Sequence, residues 1–194
     1  VGWPLGDRTG GGSFVYHFDD NLLAIGFVVH LNYTNPYLSP FDEFQRFKTH
    51  PAIRPVLEGG KRIAYGARVI TEGGVQSIPK LSFPGGVLLG CAAGMVNVPR
   101  LKGTHTAMKS GMLAAEAAFA ALAGETAPAD LSTYEDALRG SWVFRELNRV
   151  RNAKPLLSRF GTLIGGGLGL ADMWLRTLGI DLPYTLKHGK ADHE

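Results

Sequence analysis

Apolar and polar positions alternate with different periods along this chain. Between residues 11 and 29 the runs GGSFVYHF and LLAIGFVV flank Asp19, Asp20 and Asn21, a turn sequence, and predict a β-hairpin. Ser39, Pro40 and Asp42 then supply an N-cap, a proline at the first helical position and an acid two residues on, and FDEFQRFKTH follows as a short amphipathic helix. PAIRPVLEGG predicts one more helical turn with a glycine stop, KRIAYGARVI a strand, and TEGGVQSIPKLSFPGG a long loop or hairpin. GGVLLGC is short, apolar and bounded by glycines, which predicts a buried strand. From Thr104, a good N-cap, THTAMKSGMLAAEAAFAAL runs as a helix without proline until Gly124. Ser132 to Glu135 forms a capping box that opens a helix over YEDALRGSWVFRELNRVRNA. The last part contains an uncharged run of glycine and apolar residues from Gly161 to Ala171, interrupted afterwards by Asp172 and Arg176.

The strand–glycine–helix unit from Val87 to Thr106 has a chemical use. A glycine-rich loop feeding a helix N-terminus gathers free N–H groups that attract a phosphate or a polarised carbonyl oxygen. The helix face Ala107, Ser110, Gly111, Ala114, Ala115 and Ala118 carries little bulk, so a flat ligand or another backbone can come close. Composition alone favours the plainer reading, tight packing.

Length and composition set the frame. The 194 residues, 45% hydrophobic and 19% charged, describe one globular domain or two small ones. Net charge is +3, and the basic residues are not interleaved with aromatics, so nucleic-acid binding is not expected. The single cysteine, Cys91, excludes an internal disulfide and points to a reducing compartment, with inert packing as its expected role. His17, His30, His50, His105, His188 and His193 lack metal-ligand spacing; His105, at the expected helix start, stands apart. There is no P-loop or serine-nucleophile elbow. The absence of an initiator methionine and of a signal peptide suggests a piece of a longer protein.

Several blocks carry a resemblance: GGSFVYHF, GFVVHLNYTNPYLSPFDEFQRFKTHPAI, LEGGKRIAYGAR, SIPKLSFPGGVLLGCAAGMVNVPRLKGTHTAMKSG and LPYTLKH. In this order they resemble the electron transfer flavoprotein–ubiquinone oxidoreductase family. The resemblance implies an α/β (mixed α+β) FAD-dependent oxidoreductase fragment, with a β-rich quinone-binding part and a helical C-terminal part. It implies a ubiquinone-binding part over 1–80, a second FAD motif over 81–130, and a helical part with a membrane-surface segment over 131–194. By resemblance, Gly90, Cys91, Ala92, Gly94, Gly103, Thr104 and Thr106 face FAD, with the threonine hydroxyls as donors, and Cys91 stands where related flavoproteins place an acid. Gly11 and Gly12 match the glycine pair that approaches the quinone head group.

The resemblance also implies electron transfer flavoprotein, ubiquinone and a membrane lipid surface as partners, at a bacterial or mitochondrial inner membrane. Phe160, Leu163, Ile164, Leu168 and Trp174 would touch the bilayer, behind a basic stretch of Arg145, Arg149, Arg151, Lys154 and Arg159. The family's GxGxxG motif and the four cysteines of its 4Fe-4S cluster are missing from this segment, so it is expected to be incomplete alone. A related isoprenoid-type flavin reductase and a non-catalytic membrane-surface module are the alternatives.

Overall fold

A computed structural model describes residues 2–124 and 130–187; His188 and His193 lie outside the described residues. The architecture is mixed, with two small antiparallel sheets and six α-helices among the described residues. The chain divides into two compact units. One holds the residues up to Ala67 and Leu156–Gly167, the other Arg68–Pro155 and the residues from Leu168.

In the first unit, β1 (Gly11–Phe18) and β2 (Leu22–Val29) form the expected hairpin. Asp20 and Asn21 both take φ of 58°, which short polar side chains tolerate, and Leu22 N–H closes the turn on Asp19 O at 3.2 Å. Helix α1 (Pro40–Lys48) starts where Ser39 Oγ accepts Asp42 N–H at 3.2 Å. Its apolar side stacks on the sheet, Phe27 lying 5.5 Å from Phe47 and 6.3 Å from Phe44, ring to ring. The single turn α2 (Arg54–Leu57) stops before Gly59, at φ +77°. The segment Lys61–Ile70, expected as a strand, is exposed and unpaired among the described residues. A strand is held by a neighbour's hydrogen bonds, and none is offered here.

The second unit is built on α3 (Thr104–Leu122), α4 (Ser132–Gly140) and α5 (Trp142–Arg149). Leu81, Met95, Ala114, Tyr134, Leu138, Val143 and Leu147 form its core. The strand expected over GGVLLGC shrinks to β4 (Gly86–Val87), paired with β3 (Ser82–Phe83). Leu88 and Leu89 lead instead into a 3-10 turn, Gly90–Ala93. The capping box at Ser132 does not form. Asp130 Oδ1 takes Ser132 N–H, and Glu135 is drawn to Leu81 N–H at 3.2 Å and Arg139 at 2.7 Å. The long helix expected beyond it breaks between α4 and α5, where Ser141 Oγ caps Val143 N–H at 3.2 Å.

The segment from Ala153 to Thr177, here α6, is two helical arms folded back at Gly161, whose φ of 73° and ψ of −175° leave the helical region. Asp7 makes this bend: its backbone carbonyl accepts Thr162 N–H and its carboxylate Leu163 N–H, each at 3.1 Å. Gly165 lies against the Leu156 and Leu157 backbone with no room for a side chain, and Gly169 faces Ala153. The glycines therefore form an inner seam. Asp172 and Arg176 continue it. Instead of interrupting the apolar surface they are buried, Arg176 Nε on Asp172 Oδ2 at 2.9 Å. Asn152 and Tyr184 also donate to Asp172, and Arg176 reaches Asp181. Burial works to raise the Asp172 carboxyl, but bonds from Arg176, Asn152 and Tyr184 outweigh it and hold the group below its ordinary value. Its contribution to stability is thus full above the ordinary carboxylate value and lost as pH falls through the depressed one. Asp172→Ala should cost about 3 kcal/mol near neutral pH, because buried Arg176 keeps only exposed Asp181 as a counter-charge and the Asn152 and Tyr184 donors lose their acceptor. Denaturant unfolding of the full-length protein at neutral and acidic pH should show that difference shrink in acid.

Candidate functional site

The loop before α3 is shaped by its glycines. Gly90 has φ +52°, and a Cβ there would lie 2.8 Å from Ala107 Cβ. Its N–H donates to buried Ser110 Oγ at 3.1 Å, so the loop rests directly on the small face of α3. Gly94, at φ +80°, ends the turn. Gly90 and Gly94 are buried, while Cys91 and Ala92 between them form an exposed rim. The packing role expected for Cys91 is therefore corrected: a turn that seats Gly90 against α3 points the next side chain outward.

The helix start also differs from expectation. Gly103, not Thr104, is the N-cap, and it offers no side-chain bond. Thr104 is exposed, and Thr106 is buried. The Thr106 hydroxyl is directed at two carbonyls of its own chain, Met95 O and Gly103 O, so it fastens the loop rather than standing as a free donor. The first helical bond is Ala107 N–H to Gly103 O. The N–H groups of Thr104, His105 and Thr106 therefore precede the intrahelical ladder, and no acid lies in this first turn of α3. Open N–H groups, a rim of small side chains and a loop with no room for a Cβ at Gly90 suit a polarised oxygen of a flat, charged cofactor.

A cluster that sequence reasoning missed lies beside this turn. Glu146 Oε1 on α5 accepts Asn97 Nδ2 at 2.7 Å, meets His105 Nε2 at 2.9 Å, and has Arg100 Nη1 at 3.7 Å. The His105 ring stacks on Trp142 with centroids 5.7 Å apart. Burial works to raise the Glu146 carboxyl, but the bonds from His105 and Asn97 outweigh it and the group stays below its ordinary value. Nothing local in the sequence signals this meeting of residues 41 and 49 positions apart.

The other glycine pair begins β1. His30 N–H donates to Gly10 O at 2.9 Å, and the register pairs Gly11 with Val29 and Gly12 with Val28. Opposed residues in an antiparallel ladder alternate between bonded and unbonded, so Gly12 bonds Val28 while Gly11 turns its N–H and C=O away from β2. A Cβ on Gly11 would collide with Val28 O and Leu5, whereas one on Gly12 would meet nothing within 4 Å.

On α6 the glycine seam leaves the bulky side chains outside. Phe160, Ile164 and Leu168 are exposed, as are Leu163 at 80% and Trp174 at 73%. No helix among the described residues is long and apolar enough to cross a membrane. Of the basic stretch, Arg145, Arg149 and Arg159 are exposed. Arg151 is not a surface charge: it is buried on Thr185 Oγ1 at 2.8 Å, Asn148 O and Leu182 O, where it ties the segment after α6 to the end of α5.

Residues 1–70 match the family described as ETF-QO, ubiquinone-binding. The whole chain is 56% identical over 201 residues to the mitochondrial electron transfer flavoprotein-ubiquinone oxidoreductase of Rattus norvegicus, covering 32% of that protein. Proteins of the same name from Arabidopsis thaliana and Homo sapiens are 55% and 54% identical, again over all of this chain and over 30% and 32% of their own length. The chain thus spans about a third of the relatives it matches.

Proposed function

We propose that this chain, similar throughout its length to one third of the electron transfer flavoprotein–ubiquinone oxidoreductases, serves in a whole protein that passes electrons from reduced electron transfer flavoprotein to membrane ubiquinone. The observation that carries the reading is identity above one half in alignments that cover the whole chain. In this reading residues 1–80 bind ubiquinone, 81–130 hold the second FAD motif, and 131–194 include the membrane-surface segment. The 4Fe-4S cluster takes its thiolates from elsewhere in the whole protein, because one cysteine cannot supply four.

FAD, when bound, supplies the electron-transfer chemistry. What this chain adds is position and field. Gly90, Cys91, Ala92 and Gly94 form the rim that would hold the cofactor. Gly103 and Thr104 open α3, whose free N–H groups favour negative charge on the reduced cofactor. Thr106 keeps that turn closed on Met95 O. At the quinone site, Gly12 leaves space for a flat ring and Gly11 presents backbone polar groups at the strand edge. Phe160, Leu163, Ile164, Leu168 and Trp174 enter the lipid surface, placing the protein where a long-tailed quinone resides.

The test uses the full-length protein. Flavin and iron should co-purify with it, and ubiquinol should form as reduced electron transfer flavoprotein is oxidised. Reduction of isoprenoid double bonds without ubiquinone reduction would replace this reading with the flavin reductase. Absence of flavin would leave a membrane-surface module.

A further inference from the structure

Resting on the flavin reading above, we propose that Glu146 is a positioning residue that sets how the open end of α3 meets the cofactor. One oxygen of its carboxylate adds a third tie between the loop and α3, beside Thr106 on Met95 O and Gly90 on Ser110 Oγ, and the one that reaches both from α5. From the loop, Asn97 donates its side-chain N–H at 2.7 Å. From the first turn of α3, His105 Nε2 lies at 2.9 Å.

Both pieces are well defined on their own side. Asn97 is 1% exposed. Its Oδ1 accepts Arg100 N–H at 3.3 Å, and its backbone exchanges bonds with Lys102 at 2.9 and 3.3 Å. His105 lies flat on Trp142, with only 9° between the rings. Glu146 itself stands on α5, whose neighbouring Val143 and Leu147 are each 1% exposed in the core. The carboxylate therefore transmits the position of a packed helix to the loop and to the residue whose backbone N–H lies at the open helix end. Without it, a buried Asn97 amide loses its acceptor and His105 keeps only its stack. Losing a hydrogen bond to a charged group from two partners at once should loosen the turn enough to weaken flavin binding by about tenfold.

Full-length flavoprotein carrying Glu146→Ala, Glu146→Gln or His105→Phe tests this. The measurements are the dissociation constant for FAD, by recovery of flavin fluorescence, and the visible circular dichroism of the bound flavin. Glu146→Ala should weaken FAD by about tenfold and change the dichroism. Glu146→Gln, whose amide oxygen accepts both N–H donors without the charge, should recover most of the affinity and the wild-type form of the spectrum. His105→Phe keeps the stack on Trp142 but not the bond. It should weaken FAD in the same direction, which preserves the test if Glu146→Ala does not fold. Wild-type affinity and dichroism in His105→Phe, or equal loss in Glu146→Ala and Glu146→Gln, would overturn the inference. Wild-type protein without flavin would instead remove the reading on which it rests.

Discussion

Replacing Leu168 and Trp174 with Asp should release the full-length protein from liposomes and slow reduction of a long-tailed quinone. Each large apolar side chain fully inserted into lipid contributes about 1.5–3 kcal/mol, and a carboxylate in its place opposes insertion. The basic residues Arg145, Arg149 and Arg159 add about 1 kcal/mol apiece near an anionic surface, reduced by salt. The apolar contribution dominates, so high salt should weaken binding without abolishing it. The fold should tolerate the change, because both side chains are already exposed while the seam of Gly165, Gly169 and Asp172 is untouched. A water-soluble, short-tailed quinone should be reduced nearly as before, since Gly11 and Gly12 are unaltered. Equal liposome sedimentation of wild type and double variant would contradict a membrane role for this surface.

Gly90→Val should cost the full-length protein most of its flavin, with affinity lowered more than tenfold. An L-residue at φ +52° is strained by about 1–2 kcal/mol, and a β-branched one is poorly accommodated there. The added Cβ would also lie 2.8 Å from Ala107 Cβ and 3.2 Å from Ala107 Cα, and the helix backbone cannot yield. Relief comes only by lifting the loop off α3, which breaks the Gly90 N–H bond to Ser110 Oγ. Gly103→Val should do less: that residue has φ −131°, open to any side chain, and its nearest neighbour, Val96 Cγ2 at 3.3 Å, need give by only a few tenths of an ångström. Equal flavin affinity in Gly90→Val and wild type, measured by fluorescence, would put the cofactor elsewhere.

Features set by neighbouring residues could be read from the sequence. Asp20 and Asn21 announced the hairpin turn, and Ser39 with Pro40 announced α1. Features that depend on a distant partner could not. Lys61–Ile70 has strand composition, yet pairing decides a strand, and no partner is present among the described residues. Asp7 caps the second arm of α6 from 155 positions away. Asp172 and Arg176 looked like breaks in an apolar surface, because sequence shows that charges are present but not which way they face. The α4–α5 break was marked by Gly140 and Ser141, but the strong apolar period on either side masked it. At the site, the glycine loop was legible because positive φ demands glycine. The exposure of Cys91 and the use of Thr106 as a fastener were not, since both depend on how the loop seats on α3.

The most direct test of the account is Gly12→Val in the full-length protein. The new side chain enters open space, so stability should change by no more than about 0.5 kcal/mol. Stopped-flow absorbance should then show the enzyme reduced by electron transfer flavoprotein at the wild-type rate but reoxidised by ubiquinone far more slowly. Reoxidation at the wild-type rate would contradict the assignment of this strand edge as the quinone site.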